Sequence, residues 1–264
     1  MPRRVIYKEM SWVEIQGRVC ECDIAIFPIG AMEEHGFHLP VGTDNYQIEA
    51  MCRLAAERVA DSVGAVVMPC LRYGSTTSTR CFPGTVNVSP PILIRFLLAH
   101  MEASYRGGFR RFIIANGHGG NSYPRQVGSA FCQTYADAEI FFTGTFGLGL
   151  WERVSADPNN VMVGHAGEIE TSLMLALRPD LVDMGRATDG EMFGEFLSKY
   201  AFVMDDDYGV GALQNRWQTM SIGARGRPYR GNPEYGHELV DEWVLRMAEL
   251  LEQLQHTPRN VEGE

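Results

Sequence analysis

The sequence predicts an α/β fold with a largely parallel central sheet covered by helices on both faces. Four short apolar runs, at 24–28, 65–69, 111–115 and 139–143, read as buried strands. Amphipathic stretches of helical period separate them, and this β-α-β-α rhythm is the signature of parallel pairing. The chain has 264 residues, enough to bury a substantial core.

The elements follow in order. Run 24–28 is Ile-Ala-Ile-Phe-Pro and apolar throughout, as a strand covered on both faces requires. The helix predicted over 46–60 carries Ile48, Cys52, Leu54 and Ala55 on one face. A second strand, 65–69, precedes a helix over 91–105 that opens on Ser89-Pro90-Pro91, a cap followed by proline. Strand 111–115 leads through a glycine-rich turn into a helix over 122–135, and strand 139–143 follows. A short helix over 168–177 ends before Pro179. Segment 185–233 is loop-rich, with Asp205-Asp206-Asp207 and repeated glycines near 223–226. It reads as a lid, an oligomer arm or an ordinary surface excursion. A helix over 237–255, apolar at Leu239, Trp243, Met247, Leu250 and Leu254, closes the chain. Without repeats or a linker, residues 1–264 are expected to form a single domain.

Composition narrows the function. A net charge of −10 and the absence of a Lys/Arg block argue against nucleic acid as a partner. No apolar run reaches the roughly 18 residues of a membrane span, and no apolar segment follows Arg3-Arg4 as in a leader. A cytoplasmic protein without membrane contact is expected. The six cysteines are scattered without Cys-x-x-Cys pairs and read as reduced thiols, mostly in the core. Cys81, in a polar loop, either packs or lines a pocket.

Two segments carry the chemistry. Residues 33–44, Glu-Glu-His-Gly-Phe-His-Leu-Pro-Val-Gly-Thr-Asp, follow the first strand; Asn116-Gly117-His118-Gly119-Gly120-Asn121 follows the third. In parallel sheets, sites form beyond the carboxyl ends of strands, where both segments lie. Glu33, His35, Asp44 and His118 are the carboxylate and imidazole donors that zinc or manganese takes at about 2.0–2.2 Å. Asp44 alternatively caps the helix it opens, and His118 alternatively makes an ordinary loop hydrogen bond. The glycines beside His118 permit close backbone approach, a need of a crowded site. His38, two residues before Pro40, either points outward, assists substrate or ligates. A third polar segment, Gly164-His165-Ala166-Gly167, leads into a helix bearing Glu168 and Glu170. Tyr73-Gly74-Ser75-Thr76-Thr77 and Phe82-Pro83-Gly84-Thr85 follow the second strand. Tyr73, Ser75 and Thr85 there, with Gly119, are candidates for substrate contact. No Gly-x-Ser-x-Gly elbow or cysteine beside a base supports a covalent nucleophile.

Pro28-Ile29-Gly30-Ala31-Met32-Glu33-Glu34-His35-Gly36-x-His38-Leu39-Pro40, Phe82-Pro83-Gly84-Thr85, Asn116-Gly117-His118 and Glu170-Thr171-Ser172-Leu173-Met174-Leu175 together resemble the creatininase family of metal-dependent amidohydrolases. The resemblance spans roughly residues 10–183. It implies a three-layer α/β/α sandwich, a homo-oligomer, often a hexamer, and metal ligation by Glu33, His35, Asp44 and His118, with Asp44 bridging two divalent metals. Zinc is the first expectation, manganese or iron the others. The second motif departs from creatininase proper, which resembles Asn-Gly-His-x-Glu-Asn: Gly120 stands where the family's Glu ligates. The third segment gains Glu168. Glu168 and Glu170 lie about 200° apart around a helix, so one of them faces a shared centre. Glu168 is the expected replacement ligand and, with His165, a catalytic candidate; Glu170 is the alternative ligand.

The expected reaction is hydrolysis of a small cyclic or formylated amide by a metal-bound hydroxide, with His165 delivering a proton to the leaving nitrogen. The alternatives are a cyclic ketone or lactone cleaved on the same site, or a non-catalytic metal-binding scaffold. Gly164, where creatininase proper has a Glu, and the Asn-Gly-His-Gly-Gly-Asn and His-Ala-Gly-Glu motifs turn the expectation away from creatinine. They resemble relatives that cleave formamides.

Overall fold

The computed structural model describes residues 3–155, 164–188, 223–224 and 226–259. Most of the loop-rich segment expected at 185–233 therefore lies outside the described residues. Four strands, β1 (Ile24–Ile29), β2 (Val66–Val67), β3 (Arg111–Asn116) and β4 (Glu139–Gly144), form one parallel sheet in the order β2-β1-β3-β4. Ile26 pairs with Val67 on one side and Ile113 on the other, and Ile113 with Phe141 beyond.

The strands fall where the apolar runs predict, with two differences. The second is only two residues long: Ile26, Pro28 and Gly30 turn their backbones toward it, and Pro28 has no amide to donate there; pairing with β1 resumes as an isolated bridge between Ile29 and Leu71. The fourth is not a buried strand. It forms one edge of the sheet and none of its residues is fully covered.

Seven α-helices are described: α1 (Trp12–Glu21), α2 (Thr43–Arg58), α3 (Pro90–Arg106), α4 (Pro124–Thr134), α5 (Leu150–Ser155), α6 (Glu168–Leu177) and α7 (Pro233–His256). Helix α1, absent from the expectation, starts at a capping box: the Ser11 hydroxyl accepts from the Glu14 amide, and the Glu14 carboxylate accepts from the Ser11 amide. Helix α7 starts four residues before the expected start at His237, at Pro233, with the Asn232 side chain accepting from the Tyr235 amide.

Alternation along β1 divides the core into two layers. Ile24 and Ile26 join Val67, Ile113 and Ala115 beneath Ile48 and Met51 of α2 and Trp243, Met247 and Leu251 of α7. Ala25, Phe27 and Ile29 face the other way, packing with Phe112 and Ile114 against Leu93 and Leu97 of α3 and Val127 and Phe131 of α4. The result is the α/β/α sandwich. The indole N–H of fully buried Trp243 donates to the Gly144 carbonyl at 2.9 Å, tying α7 to the end of β4.

The thiols differ from the expectation. Cys22 and Cys52 are buried, whereas Cys20, Cys81 and Cys132 are exposed; all six are free. Among the described residues no helix is long and apolar enough to cross a membrane.

The topology dictates where a site can form. From β1 the chain crosses through α2 to β2 on one side, then returns through α3 to β3 on the other side of β1. Strand order reverses between β1 and β3, and the loops leaving their carboxyl ends diverge over a crevice. Those loops carry residues 33–44 and 116–121.

Candidate metal centre

The loop after β1 is folded back on itself by the Glu33 amide, which donates to the Val41 carbonyl at 2.9 Å. Its base is tight. A Cβ at Gly30 would collide with the Asn45 side chain, which donates to the Ala31 carbonyl at 2.7 Å and sets the loop against α2. Asp44 is the second residue of α2, and the cap position belongs to Gly42, which makes no side-chain bond. The carboxylate is therefore not spent on capping. Gly117 lets β3 reach the same point, because a Cβ there would lie 2.9 Å from that of Ile48 and 3.0 Å from the Asp44 carbonyl oxygen.

Glu33, His35, Asp44 and His118 converge in the interior, each less than a tenth exposed. Nδ1 of His118 lies 3.1 Å from both Oε2 of Glu33 and Oδ2 of Asp44. Nε2 of His35 lies 3.3 Å from Oδ1 of Asp44 and 3.7 Å from Oε2 of Glu170. One carboxylate thus presents its two oxygens to two different imidazoles. Three donor groups result: Glu33 with Asp44 and His118; His35 with Asp44 and Glu170; and Glu33 with His35 and His165.

Tautomers follow from the partners of the far ring nitrogens. Nε2 of His118 donates to the Ser75 carbonyl at 3.1 Å, and Nδ1 of His35 donates to the Glu33 carbonyl at 3.0 Å. In the neutral ring each then keeps a lone pair on the nitrogen that faces the cluster. The contacts inside the cluster are close, yet Glu33 Oε2, His35 Nε2 and Asp44 Oδ2 are buried without a hydrogen-bond partner. Proximity without hydrogen-bond geometry is what lone pairs aimed at a common point produce. Two donors about 2.1 Å from one ion, at octahedral or tetrahedral angles, stand roughly 3.0–3.4 Å apart, which brackets the separations across Asp44. These residues fit a divalent metal.

Charge supports the same conclusion. Burial pushes the Glu33 carboxyl up, but His118 and His165 outweigh it and hold the group at about 2. Asp44 is likewise lowered against its burial, chiefly by His35. Burial drives His35 and His118 down, but Asp44 lifts the first to about 10 and Glu33 and Asp44 raise the second. The carboxylates demand positive charge from their surroundings, and a divalent ion supplies it without protons.

The remaining expectations divide. Glu170, the alternative ligand, faces the cluster; its Oε2 also accepts from the Ala166 amide at 2.6 Å, where Ala166 turns the chain with φ of 52°. Burial raises its carboxyl despite His35 and His165. Glu168 is not brought to the centre: its carboxylate points toward Arg230, 3.8 Å away, as the divergence around the helix requires. His38 belongs to none of the donor groups, and its Nε2 donates to the Thr171 hydroxyl at 2.9 Å. His165 lies against the cluster, its ring centroid 4.4 Å from that of His35. Burial opposes protonation there, but the Glu33 carboxylate, more than its other neighbours, raises its pKa above the ordinary value. Ser75 acts through its carbonyl on His118, and Thr85 Oγ1 accepts from the Glu34 amide at 2.9 Å, so both brace the loops. Tyr73 and Gly119 are exposed.

Three contributors escaped the sequence. The Thr79 hydroxyl donates to Oε1 of Glu33, which leaves Oε2 for the cluster. Asn121 accepts from the Ser75 amide and donates to the Gly30 carbonyl, linking three loops. Glu34 contacts His165. Asn121 and Glu34 sit inside the two motif segments, but spacing does not disclose which way they turn.

Fold and site define a class: parallel-sheet α/β proteins with a carboxylate–imidazole centre, suited to divalent metal, at the point where strand order reverses. The creatininase family model, described as creatinine amidohydrolase, matches residues 8–251, and the chain belongs to that family. It is 33% identical to creatinine amidohydrolase of Pseudomonas putida over 209 residues, covering 72% of this chain and 78% of the relative. It is 29% identical to 3-dehydro-scyllo-inosose hydrolase of Thermotoga maritima over 73% of this chain and 62% of the relative. It is also 29% identical to the mycofactocin precursor peptide peptidase of Mycobacterium ulcerans, over 84% of each chain. Among solved structures it is similar to creatininase Mn (TM-score 0.76, 28% identity, 97% of this chain and 100% of that one). A mutant creatininase of Zn-Zn type gives a TM-score of 0.77 at 26% identity, with the same coverage.

Proposed function

We propose that this protein is a metal-dependent hydrolase acting on a carbon–nitrogen bond of a small cyclic or formylated amide. The observation that carries the proposal is the set of buried, unpartnered donor atoms on Glu33, His35 and Asp44, with imidazole tautomers set by backbone carbonyls. Glu33, Asp44 and His118 would hold one divalent metal and His35, Asp44 and Glu170 a second, zinc or manganese, with Asp44 shared. When bound, such metals supply Lewis acidity toward a carbonyl and an activated water. The chain's own residues do the rest. Thr79 and the Ser75 carbonyl orient Glu33 and His118, and burial of the cluster keeps bulk water from competing. His165, with Nδ1 3.9 Å from Oε2 of Glu33, would carry a proton between the attacking water and the leaving nitrogen.

Two of the three named relatives are an amidohydrolase and a peptidase, which favours an amide. The inosose hydrolase favours the alternative, a cyclic ketone or lactone cleaved on the same site. A non-catalytic metal-binding scaffold would need the same tautomers at His35 and His118, but not a further imidazole, His165, held beside them. Ile92 and Phe96, one turn apart on α3 and 61% and 56% exposed, offer a face for the homo-oligomer, a hexamer, that we propose with this activity. A hydrolysis screen of lactams, formamides and cyclic ketones with zinc, manganese or iron tests the function. Turnover of a lactam or formamide is expected; activity confined to ketones would move the assignment to the alternative, and a protein that binds metal but turns over none of the panel would favour the scaffold.

A further inference from the structure

Glu34 is a buried carboxylate that belongs to none of the three donor groups. It stands between two candidate ligands, and its surroundings hold it from several directions. Its amide donates to Thr85 Oγ1 at 2.9 Å, and its Oε2 accepts from the Gly36 amide at 3.0 Å, where Gly36 takes φ of 67°. Gly223, with φ of 63°, lies so close over the carboxylate that a Cβ there would collide with it. All this fixes where Oε1 points. It points at the ring of His165: Nε2 lies 3.1 Å from Oε1 and 2.6 Å from the carbonyl oxygen of the same residue.

Both oxygens are acceptors, so the ring nitrogen between them carries the proton, and the opposite nitrogen, Nδ1, is turned toward Glu33. A carboxylate that grips one side of an imidazole while the other side meets the reacting groups fixes both tautomer and ring orientation. We propose that Glu34 is a positioning residue that holds His165 with Nδ1 directed into the metal centre. This rests on the proton-carrying role given to His165 above. Glu34 itself touches no reacting atom.

The test is imidazole ¹⁵N NMR of the zinc-loaded protein and of Glu34→Gln and Glu34→Ala, read beside metal content and steady-state kinetics on whichever substrate the screen returns. The parent is expected to show His165 protonated at Nε2, with that proton slow to exchange. In Glu34→Ala the Nε2 proton should exchange at least tenfold faster. Turnover should fall roughly 10–100-fold, with KM within about threefold and metal content unchanged. Glu34→Gln keeps the shape but cannot offer acceptors to both Gly36 and His165, so it should fall between. An unchanged His165 signal with unchanged turnover in Glu34→Ala would overturn the proposal; so would loss of metal from both variants, which would make Glu34 a support of the ligands instead. His165→Ala separates the two claims. Full turnover in that variant removes the proton-carrying role, while the exchange result still decides whether Glu34 holds the ring.

Discussion

The carbonyl oxygen of Ser75 accepts from Nε2 of His118 at 3.1 Å, and this bond decides which nitrogen of His118 faces Glu33 and Asp44. It depends on a small residue at position 120. There a Cβ would run into both the ring nitrogen and the carbonyl oxygen, so this arrangement requires Gly120.

Gly120→Ala should therefore lower metal affinity by about 10–100-fold in a chelator competition, the usual effect of disturbing the partner of a ligating imidazole. Gly17→Ala is the control. Gly17 is exposed within α1 with open space around its Cα, so alanine there should raise stability by about 0.5–1 kcal/mol in urea unfolding and leave metal affinity unchanged.

Glu170→Gln should lose one metal of the pair and reduce turnover at least tenfold. Glu168→Gln should keep both metals, because Glu168 turns toward Arg230. Elemental analysis of the two purified variants distinguishes them, and the reverse pattern would restore Glu168 as the ligand.

His38 predicts an acid limb in stability. Burial, then the charge of His35, depresses its pKa from an ordinary 6.5 to about 4. The unfolded chain therefore takes up this proton first. The contribution is complete above about pH 6.5, declines as pH falls through the window, and levels off below about pH 4. Urea midpoints of His38→Gln, measured across that window, should fall less steeply than those of the parent; parallel slopes would exclude His38 as the source.

Much of the fold was legible because period and composition report burial directly. Ile24 through Ile29 and Phe112 through Ala115 are apolar at consecutive positions because both faces are covered. Helix α1 was missed although Ser11 and Glu14 spell a capping box, since Arg18 sits on its buried face while Trp12 and Val13 are exposed. The ligand types were legible from Glu33, His35, Asp44 and His118 standing beyond strand ends. The choice between Glu168 and Glu170 was not. It turns on the roll of α6 about its axis, set by Ile169 and Leu173 packing into one core layer and Met174 into the cluster around Leu39 and Ala224. Thr79 was invisible for a related reason: its hydroxyl reaches Glu33 across 46 residues.

Asp44 carries the central claim, because its two oxygens face His35 and His118 separately. Asp44→Asn preserves size and leaves every other donor in place. The decisive measurement is metal content per chain in this variant after reconstitution with zinc and with manganese, beside the parent. A shared carboxylate predicts two ions per chain in the parent, loss from both positions in the variant, and activity reduced at least a hundredfold. Retention of a full metal complement in Asp44→Asn would contradict it.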